Sequence, residues 1–468
     1  MPLRHWAMNL ISHQSALSLA LQTPQSHTGV MNILGPRLKS VIQRMLFAAE
    51  RYGEHELANH AAAGAYAFLL SATPAVLLAL SFTSKVFGAN PRVVAEMDRL
   101  VARFLGPLSS SATPGAYFGH SISFLAAAIG IVSLVWAARL FAVTMQRGIR
   151  VIWSATGKNT RMREGAKSLL LELITLMAMV ALIAAGEGAH VVARAIRGLG
   201  NFGAARTVTT AERIAPVLAL FAFTGWSYAT LPAKRPSPRA AWGSAALCFV
   251  SFLIVAGAFR LFINAARFEL LYGVLGNLIL LMMNVFAFFS LYFYFAEMAY
   301  VEDHFDALLF GRFHRLARTK MAASEVPKLE RALFMEPARL LRSYGRTLGK
   351  GELLFSAGDQ GKSTYFIYYG KIGIYIPSPD GENFIATLGP GEMFGEMAHI
   401  LDEARTATAR AQEDSAVLEL PPSIFELYLA THSDAARDLI SALSERLRSA
   451  DVRIHGEPRR EEAENIDK

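Results

Sequence analysis

The chain is 468 residues long, 53% hydrophobic and only 18% charged, with a formal net charge of +8 and one cysteine. That balance disfavours a wholly soluble protein, and a lone cysteine, Cys248, excludes an intrachain disulfide or a cysteine-built metal site. The positive charge falls mostly in loops beside apolar runs, which is the pattern that orients membrane segments. No recognition motif accompanies it, so nucleic acid is not an expected partner.

Residues 1–45 contain no acid, the first being Glu50. The run Leu17–Leu21 is too short for a span or a signal-peptide core, so this leader is expected to be disordered or interfacial. Six apolar runs follow that are long enough to cross a bilayer as helices, which takes about 20 residues. They are Ala61–Phe82, Ser121–Val143, Leu169–Val192, Ile214–Leu231, Trp242–Ile263 and Leu271–Val301. No alternating strand pattern occurs in them, so the expected partner is a lipid bilayer spanned by helices.

Loop charge sets the orientation. Arg37, Lys39, Arg44 and Arg51 precede the first run. Arg147, Arg150, Lys158, Arg161, Arg163 and Lys167 follow the second, and Lys234, Arg235 and Arg239 follow the fourth. The intervening loops are less basic. The positive-inside rule places both termini in the cytoplasm, as an even number of spans requires, in an inner-type membrane.

Polar groups inside these runs are candidates for a membrane pathway, because lipid penalises them. Glu187 and His190 are three apart and share a helix face, while Asn277 and Asn284 lie one heptad apart, with Asn264 nearby. Asparagines also tie helices together, and the Glu187–His190 pair lies near a helix end that reaches interfacial water. Ser71 and Pro74 interrupt the first run, where a bend is expected.

Three stretches of this half carry a resemblance. They are Ala61-Ala62-Ala63-Gly64-Ala65-Tyr66 running on to Pro74, Leu231-Pro232-Ala233-Lys234-Arg235-Pro236 with Trp242-Gly243 after it, and Leu271-Tyr272-Gly273-Val274-Leu275-Gly276. Together they resemble the YihY/BrkB family, once labelled ribonuclease BN-like. The resemblance implies a six-span membrane domain over residues 46–301. A nuclease would need clustered histidines and carboxylates outside lipid. His55 and His60 are five apart, about 140° on a helix, unlike the four-residue spacing of a zinc-binding helix. No enzymatic activity and no metal site are expected.

Residues 302–333 read as a charged helical connector divided by Pro327 and, just beyond it, Pro337. Short strands then alternate with glycine turns: Glu352–Phe355, Thr364–Tyr369, Ile372–Ile376, Asn383–Leu388, Ala407–Ala411 and Ala416–Leu420. Such a pattern predicts a small barrel or jelly roll. Helices follow at Ser423–Ala430 and Asp434–Val452, the latter with a Leu439, Leu443, Leu447 stripe suited to core or dimer packing, so a homo-oligomer is compatible. Residues 454–468 form a charged tail.

The chemistry lies in the stretch from Met393 to Ala409. Gly395 opens a one-turn helix, Glu396 follows, and Arg405 returns nine residues later at a strand start, followed by Thr406. Arginine's planar fork takes two phosphate oxygens, whereas an ionised glutamate accepts from a hydroxyl and repels the phosphate. This stretch resembles the phosphate-binding cassette of cyclic-nucleotide-binding domains, over roughly residues 334–453. The resemblance implies a site at Phe394, Gly395, Glu396, Met397, Ala398, Arg405, Thr406 and Ala407. Gly395 would supply backbone, Glu396 the ribose 2′-hydroxyl contact and Arg405 the cyclic phosphate contact. Thr406 looks like the channel-type variant, so cAMP and cGMP both stand as regulatory ligands. The fold expected is therefore an α-helical integral membrane domain of about six spans plus a C-terminal, mainly-β jelly roll with flanking helices. The function that these resemblances imply is that of a membrane protein regulated from the cytoplasm, expected to be a ligand-gated transporter or channel or, alternatively, a non-transporting sensor or scaffold.

Overall fold

A computed structural model describes residues 35–70, 124–153, 217–262, 274–318, 328–335, 337–379 and 381–431, with residues 437, 441 and 444. The chain divides into two compact units, the larger centred on Arg44–Leu308 and the smaller on Leu309–Gly361 with Tyr365–Glu419.

The larger unit is helical. Helix α1 (Pro36–Glu54) leads into it and ends at a turn where Glu56 takes φ 49°, and residues 57–70 are helical again. Next come α2 (Phe124–Ile152), helical residues 217–230, α3 (Pro238–Phe262) and α4 (Val274–Arg318). Among the described residues, Pro238–Phe259 and Ile279–Ala317 are long and apolar enough to cross a membrane, with mean hydropathies of 2.0 and 1.9, and Val217–Thr230 is a shorter apolar helix.

The second, fourth and fifth apolar runs thus fall on α2, residues 217–230 and α3. The third run lies outside the described residues, as does the first beyond residue 70, including Ser71 and Pro74. The sixth run and the first part of the helical connector expected after Val301 form a single helix, α4, which continues to Arg318. The physical reason is that Glu302 and Asp303 end an apolar pattern without breaking a helix, and α4 contains no proline. Both acids have partners: Arg44 Nε stands 3.0 Å from Glu302 Oε2, and Asp303 accepts 2.6 Å hydrogen bonds from the Ser237 amide and hydroxyl. Ser237 also caps α3, its Oγ accepting from the Ala240 amide, with Pro238 in the first helical position where a missing N–H costs nothing.

Close packing holds this unit together. An added Cβ at Gly148 would overlap the Phe293 ring, so α2 meets α4 where the former has no side chain. A chain of its buried hydroxyls is satisfied internally, as a water-poor surrounding favours. Tyr228 donates to the Tyr292 carbonyl at 2.5 Å, Tyr292 to Ser227 Oγ at 2.9 Å, and Ser227 to the Thr224 carbonyl at 2.7 Å.

After α4 come two short helices, α5 (Lys328–Phe334) and α6 (Ala338–Tyr344), with Pro337 between them at the start of the second. Eight strands follow: β1 (Gly345–Leu348), β2 (Leu353–Phe355), β3 (Thr364–Tyr369), β4 (Ile372–Ser378), β5 (Gly381–Leu388), β6 (Met393–Phe394), β7 (Thr408–Ala411) and β8 (Ser415–Leu420). Helix α7 (Glu396–Ile400) intervenes between β6 and β7, and α8 (Pro422–Thr431) follows β8. The strands form two four-stranded sheets in the orders β1-β8-β3-β6 and β2-β7-β4-β5, with β1·β8, β3·β6, β2·β7, β4·β7 and β4·β5 paired antiparallel. Their inner faces share a core that includes Leu348, Leu354, Ile367, Ile372, Leu388, Ala409 and Val417. Two strands, β1 and β6, were not anticipated from sequence, and β7 starts at Thr408 rather than Ala407. Gly370, at φ 88°, turns β3 into β4 where an added Cβ would overlap Ser415, so no other residue fits there.

Candidate functional site

The site is built around Arg405, which is 4% exposed. Its backbone is fixed on both sides by the loop after β2. The Arg405 amide donates to the Asp359 carbonyl at 2.8 Å, and the Gly358 amide donates to the Arg405 carbonyl at 2.8 Å. The guanidinium lies 4.3 Å over the Phe355 ring and 5.4 Å from the Tyr365 centroid. These rings stack with Phe394, with centroids 5.5 to 6.1 Å apart and planes within 29°. Arg405 Nη1 donates to the Gly395 carbonyl at 2.5 Å, and the missing side chain of Gly361 leaves room beside Nη2.

Gly395 takes φ 78°, ψ 2°, a left-handed conformation that turns the chain out of β6 and directly into α7. The turn sets Glu396, 1% exposed, at the start of α7, while Asp402, at φ 58°, closes the segment beyond it. The residues expected to bind ligand therefore occupy different environments. Gly395, Glu396 and Arg405 converge. Phe394 and Ala398 are buried in the domain, Phe394 as a ring in the stack rather than a surface contact. Met397 and Ala407 are half-buried, and Thr406 is exposed beside Arg405.

Burial draws the Arg405 pKa below its ordinary value, while Tyr365, Glu419 and Asp359 act to keep it charged. An arginine holds its proton regardless. The result is a desolvated, planar cation on an aromatic bed, which gains most from an anion offering two oxygens in one plane. Burial likewise raises the Tyr365 pKa, with Glu419 adding to the rise, and the Tyr365 hydroxyl donates to Glu419 Oε1 at 3.3 Å. Phe355, Tyr365, Asp359 and Gly361 carry no signal of this role in the sequence, because their contribution depends on how the strands and loops pair in space.

In the helical unit, Glu187, His190 and Asn264 lie outside the described residues, and Asn277 is placed only as part of α4. Asn284 is partly buried and donates its amide to the Leu280 carbonyl of its own helix at 2.9 Å. A more prominent polar cluster involves Glu297, which is fully buried. Arg51 Nε lies 3.0 Å from Glu297 Oε2, and His55 Nδ1 meets Glu297 Oε1. Arg51 also lies 4.2 Å over the Tyr300 ring. His55 and His60 do not share one helix, since the Glu56 turn separates them; the His60 ring stands 6.3 Å from that of Phe293. The signal for Glu297 was available as an acid inside an apolar run.

Comparison with known proteins matches both halves. Residues 345–432 match the family described as cyclic nucleotide-binding domain, and residues 48–309 match that described as virulence factor BrkB. The second match covers more than half of the chain, which therefore belongs to the BrkB family, a membrane family, and carries a cyclic nucleotide-binding domain after it. A cyclic AMP receptor protein of Thermus thermophilus is 34% identical over 110 residues, 23% of this chain and 51% of that protein. A cyclic nucleotide-gated potassium channel of Mesorhizobium japonicum is 31% identical over 126 residues, 27% of this chain and 33% of the channel. The crystal structure of the Thermus thermophilus catabolite activator protein aligns at 29% identity over 31% of this chain and 61% of that one, with a TM-score of 0.24. The chain thus spans about half the length of the first of these relatives and a third of the second.

Proposed function

We propose that this BrkB-family protein is regulated by a cyclic nucleotide, cAMP or cGMP, that binds at Gly395, Glu396 and Arg405 and alters the state of the membrane domain. The observation that carries the reading is the convergence of a buried arginine, a left-handed glycine and a buried glutamate inside a cyclic nucleotide-binding domain. The cyclic phosphate replaces the Gly395 carbonyl as the partner of the Arg405 fork, Glu396 accepts from the ribose 2′-hydroxyl, and Thr406 offers a hydroxyl at the rim. The role is regulatory rather than catalytic.

In this reading the membrane domain crosses an inner membrane six times with both termini in the cytoplasm, where nucleotide is available. The continuity of α4 supports a gated transporter or channel, since one helix begins in the apolar region and ends with Phe310, Phe313 and His314 packed against Phe366 of the nucleotide-binding unit. A ligand shifts such an equilibrium only through its different affinity for the two states. A second reading, an anchored sensor that transports nothing, is favoured by the Asn284 amide, which is spent on its own helix rather than offered to a solute.

Solute flux into vesicles containing the full chain separates the two. Flux that changes with nucleotide in the wild type and not in Arg405→Ala supports gating. Nucleotide binding without flux of any tested ion or small solute supports the anchored sensor. Failure of both cyclic nucleotides to bind removes the proposal.

A further inference from the structure

A cavity of about 210 Å³ lies within the helical unit, walled chiefly by six phenyl rings, those of Phe68, Phe141, Phe223, Phe252, Phe288 and Phe289. Leu220, Val285 and Asn284 are the other described residues of its lining. The rings brace one another edge to face: Phe252 with Phe288 at 5.2 Å, Phe288 with Phe289 at 5.3 Å, and Phe141 with Phe289 at 5.8 Å. Phe289 is further fixed by Gly64, where an added Cβ would stand only 3.3 Å from the ring. The space is therefore pre-formed rather than a gap between mobile side chains.

Its chemistry selects the occupant. Asn284, the only polar residue among the described residues of the lining, already donates to Leu280, and none of these residues is charged to orient an ion or a polar solute. Water needs two to four polar partners to settle in such a space, so an apolar cavity of this size stays dry or takes an apolar guest. It is also smaller than the roughly 300–1,000 Å³ of pockets for drug-sized ligands. The lining residues sit directly beside exposed apolar ones: Phe252 precedes Leu253 and Ile254, 49% and 67% exposed, and Met282, Met283 and Phe286 flank Asn284 and Val285. In a membrane protein those exposed side chains face hydrocarbon, so lipid tails are the apolar molecules at hand. A tail entering the space gains dispersion contacts that a void forfeits.

We infer that this phenyl-lined cavity seats an acyl chain of a membrane lipid. The inference rests on the helical unit alone and is independent of nucleotide binding.

The test uses the full chain in vesicles of phosphatidylethanolamine and phosphatidylglycerol, doped with a phosphatidylcholine carrying a mid-chain diazirine, with mass-spectrometric mapping after irradiation. Label is expected on Val285, Phe288 or Phe252 in addition to exposed Met282 and Leu253. Val285→Trp fills the space and is expected to reduce labelling of Phe288 and Phe252 roughly tenfold, the effect of displacing about two methylene contacts, leaving Met282 and Leu253 unchanged. Leu220→Phe, a smaller intrusion from another part of the wall, serves if the tryptophan variant does not give a monodisperse protein. Absence of label from the lining in the wild type, whether the space is dry or holds another molecule, overturns the inference. So does undiminished labelling in the folded, filled variant.

Discussion

Tyr365 and Phe366 are adjacent on β3 and face opposite ways: Tyr365 joins the aromatic stack beneath Arg405, while Phe366 packs edge-on against Phe310, Phe313 and His314 of α4. Strand alternation alone produces this arrangement. It sets the arginine expected to meet the ligand and the end of the long helix on two faces of one strand. A displacement of Arg405 from the Gly395 carbonyl has a short route, through the Tyr365 ring and the β3 backbone, to the last turns of α4.

Arg405→Ala is expected to weaken cyclic nucleotide binding by about 2–5 kcal/mol, the cost of truncating one partner of a buried charge pair. Arg405→Lys keeps the charge but not the fork, so it should fall between. Calorimetric titration of the full chain with cAMP and cGMP measures both and ranks the two nucleotides. Equal affinity in the wild type and Arg405→Ala would remove Arg405 from the site.

Gly395→Ala places a side chain at φ 78° and should cost the nucleotide-binding unit about 1–2 kcal/mol. It should also lower affinity, because Glu396 and the Gly395 carbonyl are aimed by that turn. Gly370→Ala is the control. It strains a turn against Ser415 and should reduce stability without selectively reducing affinity at matched folded fraction. Denaturant unfolding alongside calorimetry distinguishes the two variants.

Glu297→Ala leaves Arg51 and His55 without their shared carboxylate in a buried setting. Breaking such a pair from one side typically costs about 3–5 kcal/mol. Thermal unfolding of the detergent-solubilised chain should show a marked loss, with Arg44→Ala, which removes the more exposed Glu302 pair, changing it little by comparison. A loss for Arg44→Ala equal to that for Glu297→Ala would contradict the importance assigned to the buried cluster.

Phe366→Leu should retain nucleotide affinity while weakening communication with α4, since it alters the outer face of β3 and spares the inner one. Hydrogen exchange at residues 309–318, with and without nucleotide, should respond less than in the wild type. A response of wild-type size in the variant would exclude Phe366 from the route.

The sequence was most legible where function is local. Gly395, Glu396 and Arg405 lie within eleven residues, and β3 is legible to the residue because an aromatic-rich, strand-favouring run, Thr364–Tyr369, ends at Gly370. β1 and β6, four and two residues long, depend on partners elsewhere in the chain and carry no pattern of their own. The aromatic bed of Arg405 comes from β2, β3 and β6, so no spacing could reveal it. The Arg51–Glu297 pair joins residues 246 apart, and only the presence of an acid in an apolar run hinted at it. Charge at Glu302 and Asp303 marks the end of the sixth apolar run but carries no helix stop, so that run and the connector after it are one helix, α4.

The central claim, that filling the Arg405 site alters the membrane domain, is tested most directly by hydrogen exchange of the full chain in nanodiscs with and without cyclic nucleotide, in the wild type and Arg405→Ala. The account predicts nucleotide-dependent changes at residues 355–365 and 395–406 that extend to 309–318 and to the Arg51–Glu297 region, all absent from the variant. Changes confined to 345–432 in the wild type would contradict it and leave a sensor with no connection to the membrane domain.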